Sequence, residues 1–266
     1  MMSKNSVPVI GVPWDQKSSF MRGCADAPPA IWDAFNCASA NTCAENGQDL
    51  SRDGRLVYRG NMTLSTGNRV IKEIFRQALA AIRQGATPIF LGGDHAITYP
   101  LIAAMAEVHR NLNILHFDAH PDLYDDFEGH KYYHGSPFAR IMERGWVQRL
   151  VSVGIRTMTP HQQAQADRFG VEIVDMQRFD TSLALAFDGP LYLSLDLDVL
   201  DPAFAPGLSH HEPGGLTTRE LIRTIQGVDG QIVGADIVEY NPHRDIQNLT
   251  AMTAAKLMKE VAAKMG

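Results

Sequence analysis

The chain of 266 residues contains no run of 18 consecutive apolar residues, the length a helix needs to cross a bilayer, so no membrane partner is expected. It lacks a basic excess as well. Its 24 Lys and Arg against 30 Asp and Glu leave a formal charge of −6, the wrong sign for a nucleic-acid partner. Cysteine is scarce: Cys24, Cys37 and Cys43 form no CxxC pair. An odd number of thiols clustered in one polar region fits a reduced protein better than a disulfide scaffold. Residues Met1–Val7 carry no long apolar segment of the secretory kind, and with the unpaired thiols this predicts a cytoplasmic protein. No internal repeat or low-complexity segment divides the sequence. At 45% apolar residues, residues 1–266 are expected to form one domain with a full core.

Short apolar runs alternate with amphipathic stretches through most of the chain. Strands are expected at Val7–Val12, Thr87–Leu91, Leu112–Phe117, Leu150–Gly154, Val171–Val174, Leu191–Leu195 and Gln231–Ala235, with a weaker eighth at Leu56–Tyr58. Several are apolar at consecutive positions, as strands covered on both faces are. Between them, Ile71, Ile74, Phe75, Ala78, Leu79 and Ile82 share one helical face, and Gly85 can end that helix. Thr217 with Glu220 forms a capping box before Leu221, Ile222 and Ile225. Ala254, Leu257, Met258 and Val261 make a C-terminal stripe. Residues Cys37 to Ser65 read as a polar surface excursion. This rhythm predicts an α/β fold: three α/β/α layers around a mostly parallel sheet of roughly eight strands.

Ligands of such sheets bind beyond the carboxyl ends of the strands, and polar residues concentrate there. Thr87–Leu91 runs into Gly92-Gly93-Asp94-His95. Leu112–Phe117 runs into Asp118-Ala119-His120-Pro121-Asp122, and Leu191–Leu195 into Asp196-Leu197-Asp198. In extended chain Asp118, His120 and Asp122 share a face, as do Asp196 and Asp198. Ionised carboxylates leaving buried strands are costly unless neutralised, and no Arg or Lys lies within these motifs. A pair of divalent cations would neutralise them. Carboxylates and imidazoles without thiolates favour fairly hard ions such as Mn²⁺, and two ions about 3.5–4 Å apart can together acidify a water. Asp201, before Pro202, reads as a turn residue.

GGDH at Gly92–His95, DAHPD at Asp118–Asp122 and SLDLDVLDPAFAPG at Ser194–Gly207 resemble the signature segments of the ureohydrolase family, which includes arginases and agmatinases. SSFMRG, HGSPFARIM, HEPGGLT and GADIVEYNP extend the resemblance along most of the chain, toward the agmatinase-like branch that includes plant-type arginases. The resemblance implies two Mn²⁺ ions per subunit, with Ni²⁺ also admissible. His95, Asp118, Asp122 and Asp196 would hold one; His120, Asp118, Asp196 and Asp198 the other. It further implies that His134 delivers a proton to the leaving amine, that Glu239 binds a guanidinium, and that the protein is a homo-oligomer, a trimer or hexamer. His130, His210 and His211 fall on loops near the site.

The family's usual GGDHS is GGDHA here, and Ala96 is expected to loosen a bond bracing His95. No acid follows Ile155-Arg156-Thr157, and Asp125, Asp126 and Glu128 crowd the loop after Asp122. That acidic run would favour a small cationic guanidino substrate with a second cationic end. Hydrolysis of agmatine to putrescine and urea is therefore the first expectation. L-arginine hydrolysis to ornithine and urea is the alternative. The intact ligand set counts against a non-catalytic subunit, and HGSPF and GADIVEYNP count against a deacetylase-like amidohydrolase.

Overall fold

A computed structural model describes residues 6–265. Eight strands form one sheet: β1 (Val7–Gly11), β2 (Leu56–Asn61), β3 (Ile89–Leu91), β4 (Leu112–Phe117), β5 (Val147–Ile155), β6 (Glu172–Asp175), β7 (Ala186–Asp196) and β8 (Asp229–Val238). Their order is β2-β1-β3-β8-β7-β4-β5-β6. Every neighbouring pair is parallel, so the expected mostly parallel sheet is parallel throughout.

Seven helices cover it: α1 (Ala27–Phe35), α2 (Val70–Ile82), α3 (Thr98–Ala106), α4 (Pro137–Glu143), α5 (Pro160–Phe169), α6 (Thr218–Gly227) and α7 (Leu249–Lys264). Alternation along the strands sorts the apolar side chains into two cores. Leu115, Phe117, Leu193 and Leu195 pack with Ile31, Ile225 and Leu257 of α1, α6 and α7. Ile114 and Tyr192 point the other way, into a core with Ile74, Leu101, Phe138 and Ala166 of α2 to α5. Both faces of the sheet are therefore buried, which is why its strands read as continuous apolar runs.

The weak strand at Leu56–Tyr58 is real and extends to Asn61 as the edge strand β2. It belongs to the excursion expected at Cys37–Ser65, and of the six β2 residues Leu56 alone is buried. Gly85 follows α2 at φ 79°, the left-handed conformation that a helix terminator adopts. Thr217 caps α6 as expected: its side chain accepts from Glu220 N, while Glu220 Oε2 accepts from Thr217 N at 2.8 Å.

The topology brings four chain-distant strand ends together. β3, β8, β7 and β4 are consecutive in the sheet, and being parallel they all finish at one edge. Gly93 at that edge has no room for a side chain, since a Cβ would lie 1.7 Å from Trp14 O. The capping box offers a test away from this edge. Thr217→Ala should lower unfolding free energy by about 1 kcal/mol, read by chemical denaturation, with hydrolytic turnover unchanged.

Candidate metal centre

His95 follows β3, Asp118 follows β4, Asp196 ends β7 and Glu239 follows β8. His95 is fully buried, and its Nδ1 faces Oδ2 of Asp118, Asp122 and Asp196 at 3.2, 3.1 and 3.2 Å. Despite that proximity, Nδ1 makes no hydrogen bond among the described residues. One nitrogen and three carboxylate oxygens thus converge without satisfying one another. A second group adjoins the first: His120 Nδ1 lies 3.3 Å from Asp118 Oδ1 and 2.9 Å from Asp198 Oδ2. Asp118 presents one oxygen to each group. The second oxygen of Asp196 accepts instead from Asp198 N at 2.8 Å.

The electrostatics favour added positive charge. Burial raises the pKa of Asp196 well above the carboxylate range, and the charges of Asp198 and Asp118 raise it further. Burial and then Asp118 raise Asp122 to about 6. Burial would also raise Asp118, but the surrounding His116, His120 and His95 outweigh it and hold the carboxyl well below its ordinary value. Burial alone would lower the pKa of His95, yet the three facing carboxylates lift it far above normal. An unpartnered imidazole nitrogen, four carboxylates and no thiolate fit divalent cations.

Hydroxyls brace the ligands from behind. His95 Nε2 lies 3.0 Å from Ser194 Oγ, which donates to Asp236 Oδ1 at 2.7 Å. The buried Asp236 accepts further bonds from Thr98 and Tyr192. Such partners fix a metal-ligating imidazole's tautomer and orientation. Ser194 therefore supplies a hydroxyl to His95 although position 96 carries none. Ala96 donates its backbone N–H to Asp94 Oδ1.

Sequence reasoning missed His116. Its Nε2 contacts Asp118 Oδ2 at 2.8 Å, and its Nδ1 contacts Ser152 Oγ at 3.0 Å. The signal was present, because His116, Asp118, His120 and Asp122 are spaced by two.

His134 and Glu239 meet directly, at 3.1 Å between Nδ1 and Oε1. Oε1 also accepts from His95 N at 2.9 Å, while Cys24 Sγ lies 3.7 Å from Oε2. Glu239 adopts φ 66°, a conformation rare outside glycine, and its N–H is fixed to Gly93 O. Ser19 holds the far side of His134, with Oγ 2.7 Å from Nε2. His134, Glu239 and Ser19 line a cavity of about 320 Å³ with His120, Asp122, Asp196, Asp198 and His210. His130 and His211 are exposed and lie outside its lining. Asp201 is the turn residue expected, accepting from Ala203 N and Gly214 N.

The acidic loop departs from expectation. Asp125 Oδ1 accepts from Gln165 Nε2 at 2.6 Å and from Arg140 Nη2 at 3.4 Å. Asp126 accepts from Gly129 N. Neither residue, nor Glu128, lines the cavity. The run is a surface loop braced by its own hydrogen bonds rather than part of the cavity wall.

Residues 5–263 match the arginase family. The chain is 42% identical to arginase 1 of Arabidopsis thaliana, across 99% of its own length and 82% of that protein's. This chain belongs to the arginase family. It is also 36% identical to a guanidinopropionase of Pseudomonas aeruginosa, covering 96% of this chain and 85% of that one. Among solved structures, the arginase of Medicago truncatula superposes with a TM-score of 0.94 at 41% identity, covering 98% of this chain and 88% of that one. As a family member the chain is a hydrolase of guanidino C–N bonds. The cytoplasmic location expected above is corrected by these relatives, since the Arabidopsis and Medicago arginases are named mitochondrial. Reduced thiols are common to several compartments, so they were a weak guide. Among the described residues, no helix is long and apolar enough to cross a membrane.

The His134–Glu239 pair should register in stability. Burial alone would lower the pKa of His134, but the hydrogen bond and charge of Glu239 outweigh it and raise it from 6.5 to about 9. A raised imidazole pKa stabilises the fold fully below the unfolded value and loses that contribution as pH climbs through the folded one. In chelator, the stability advantage over His134→Asn should be full below pH 6.5 and gone above about pH 9. Denaturant titrations across that range read it; an advantage independent of pH would dissolve the pair.

Proposed function

We propose that this protein is an arginase, hydrolysing L-arginine to L-ornithine and urea with two Mn²⁺ ions per subunit. The observation that carries the choice over agmatine is the orientation of Asp125, which faces Arg140 and Gln165 rather than the cavity. Without that negative charge, the loop makes no demand for a second cationic end. Ser19, Tyr124, Thr157 and Gln162 are among the residues lining the cavity instead. Their hydroxyls and amide can bind an α-ammonium or an α-carboxylate. Membership beside plant arginases supports the same reading.

His95, Asp118, Asp122 and Asp196 would hold one ion, and His120, Asp118 and Asp198 the other, with Asp196 turned toward the first. Bound divalent ions supply the Lewis acidity that makes hydroxide available at neutral pH. Glu239 orients the guanidinium through paired hydrogen bonds. Its Oε1 is committed to His134, so the substrate displaces that imidazole as it docks. His134, protonated in its pair with Glu239, then carries the proton required by the amine when the C–N bond breaks. Ser19 Oγ holds Nε2 and limits how far the ring swings. A homo-oligomer, trimeric or hexameric, is part of this proposal on the strength of the family resemblance.

A urea-release panel of L-arginine, agmatine, 3-guanidinopropionate and 4-guanidinobutyrate with Mn²⁺ tests it. Arginine should give the highest kcat/KM. Faster turnover of agmatine would sink the arginase reading, and no urea from any of them would sink hydrolysis itself. Asp118→Asn should lose metal and activity together, because Asp118 faces both groups. His134→Ala should keep its metal while turnover falls by about 10²-fold or more, the usual loss with a general acid.

A further inference from the structure

His210 has no place in the chemistry above, yet it sits against it. Its ring centroid is 5.1 Å from that of His134 and 6.5 Å from that of His120. The exposed Phe20 ring flanks it at 5.6 Å. His134, His210 and Glu239 can each offer one ligand atom such that all three lie within 4.8 Å of one another. They come from three separate segments and meet on the wall of the cavity.

We propose that His134, His210 and Glu239 form a further cation site, suited to Zn²⁺, whose occupation shuts off hydrolysis. Two imidazoles and one carboxylate are a set that zinc takes in four-coordinate sites, with one open position left for water. Ligand atoms about 2.0–2.1 Å from a tetrahedral ion lie roughly 3.3 Å apart. His134 Nδ1 and Glu239 Oε1 are already at 3.1 Å. Ser19 engages the opposite nitrogen, Nε2, which leaves Nδ1 turned to the carboxylate. Zinc entry replaces the proton shared by that pair, and His210 closes the third position with a small ring movement.

The donor types separate this site from its neighbour. The main centre is rich in carboxylates, whereas imidazole supplies two of three donors here. Imidazole-rich sites favour zinc, and the carboxylate-rich centre favours manganese. An ion at this position occupies the oxygen that takes the guanidinium and the nitrogen that carries the proton, so it blocks substrate binding and protonation together. The inhibitory half rests on the hydrolase reading; the binding half does not.

The test uses Mn²⁺-loaded protein titrated with Zn²⁺, with bound metals counted by mass spectrometry and urea release followed in parallel. One Zn²⁺ per chain should bind with both Mn²⁺ retained, and inhibition should follow its occupancy. His210→Ala and His210→Asn should each raise the Zn²⁺ concentration for half-inhibition about tenfold or more, as loss of a zinc partner does. Zinc entering only by displacing Mn²⁺ would overturn the site, as would unchanged zinc affinity in the folded variants. Should neither variant fold, Co²⁺ added to the Mn²⁺-loaded parent must give the absorption of a histidine-bound four-coordinate ion at one equivalent; its absence overturns the proposal. A protein that binds the third ion but releases no urea would refute the hydrolase reading and leave the site standing.

Discussion

Four carboxylates within a few ångströms of one another, at the end of a buried sheet, are the constraint on which this structure turns. Asp118, Asp122, Asp196 and Asp198 cannot all be ionised there without compensating charge, and the side chains that face their carboxylates are imidazoles. Much around them follows from keeping that arrangement rigid. The strand order places β3, β8, β7 and β4 side by side, so the ligand-bearing ends share one edge. Behind them lies a layer of hydroxyls rather than ammonium or guanidinium groups. Ser152 meets His116, Ser194 joins His95 to Asp236, and Thr98 and Tyr192 complete the bonding of Asp236. Neutral donors orient the ligands without cancelling the charge that attracts cations.

Arg156 shows the same separation. Its guanidinium reaches the carbonyls of Asp198, Val199, Leu200 and Glu212, not a carboxylate. It fixes the backbone on which Asp198 sits while leaving the Asp198 side chain to His120 and Ala119 N. A side-chain cation placed directly on those carboxylates would compete with the divalent ions proposed for them.

The six metal-ligand candidates were legible in sequence because strand periodicity is short-range. Residues two apart share a face whatever the rest of the chain does. The same rule reaches His116, but a histidine inside an apolar strand reads as core until its neighbour across the sheet is known. That neighbour is Ser152, on β5. The sheet was legible from its apolar runs, and α2, α6 and α7 from their stripes. Other helices were not: seven of the nine residues of α3 are buried, so it carries no polar face to set a period. Substrate choice was less legible for a different reason. Sequence gives the charge of Asp125 but not its direction, and that direction is set by Arg140 on α4 and Gln165 on α5.

Family and substrate rest on different residues of the cavity, and this explains why one is readable and the other is not. One set of lining residues is His120, Asp122, Asp196, Asp198 and Glu239, the last held by its left-handed backbone and the bond from His95 N. The rest of the lining includes Ser19, Tyr124, Thr157 and Gln162, which come from segments far apart in sequence, and none of the four carries a formal charge. Neutral donors discriminate by distance and angle rather than by sign. One loop shift can therefore exchange one substrate tail for another without touching a signature residue. Ser19 connects the two sets, since it lines the cavity and also binds His134. If His134 donates the proton as proposed, a substrate tail that moves Ser19 would move the donor too, and recognition of the tail and timing of protonation would share one hydrogen bond.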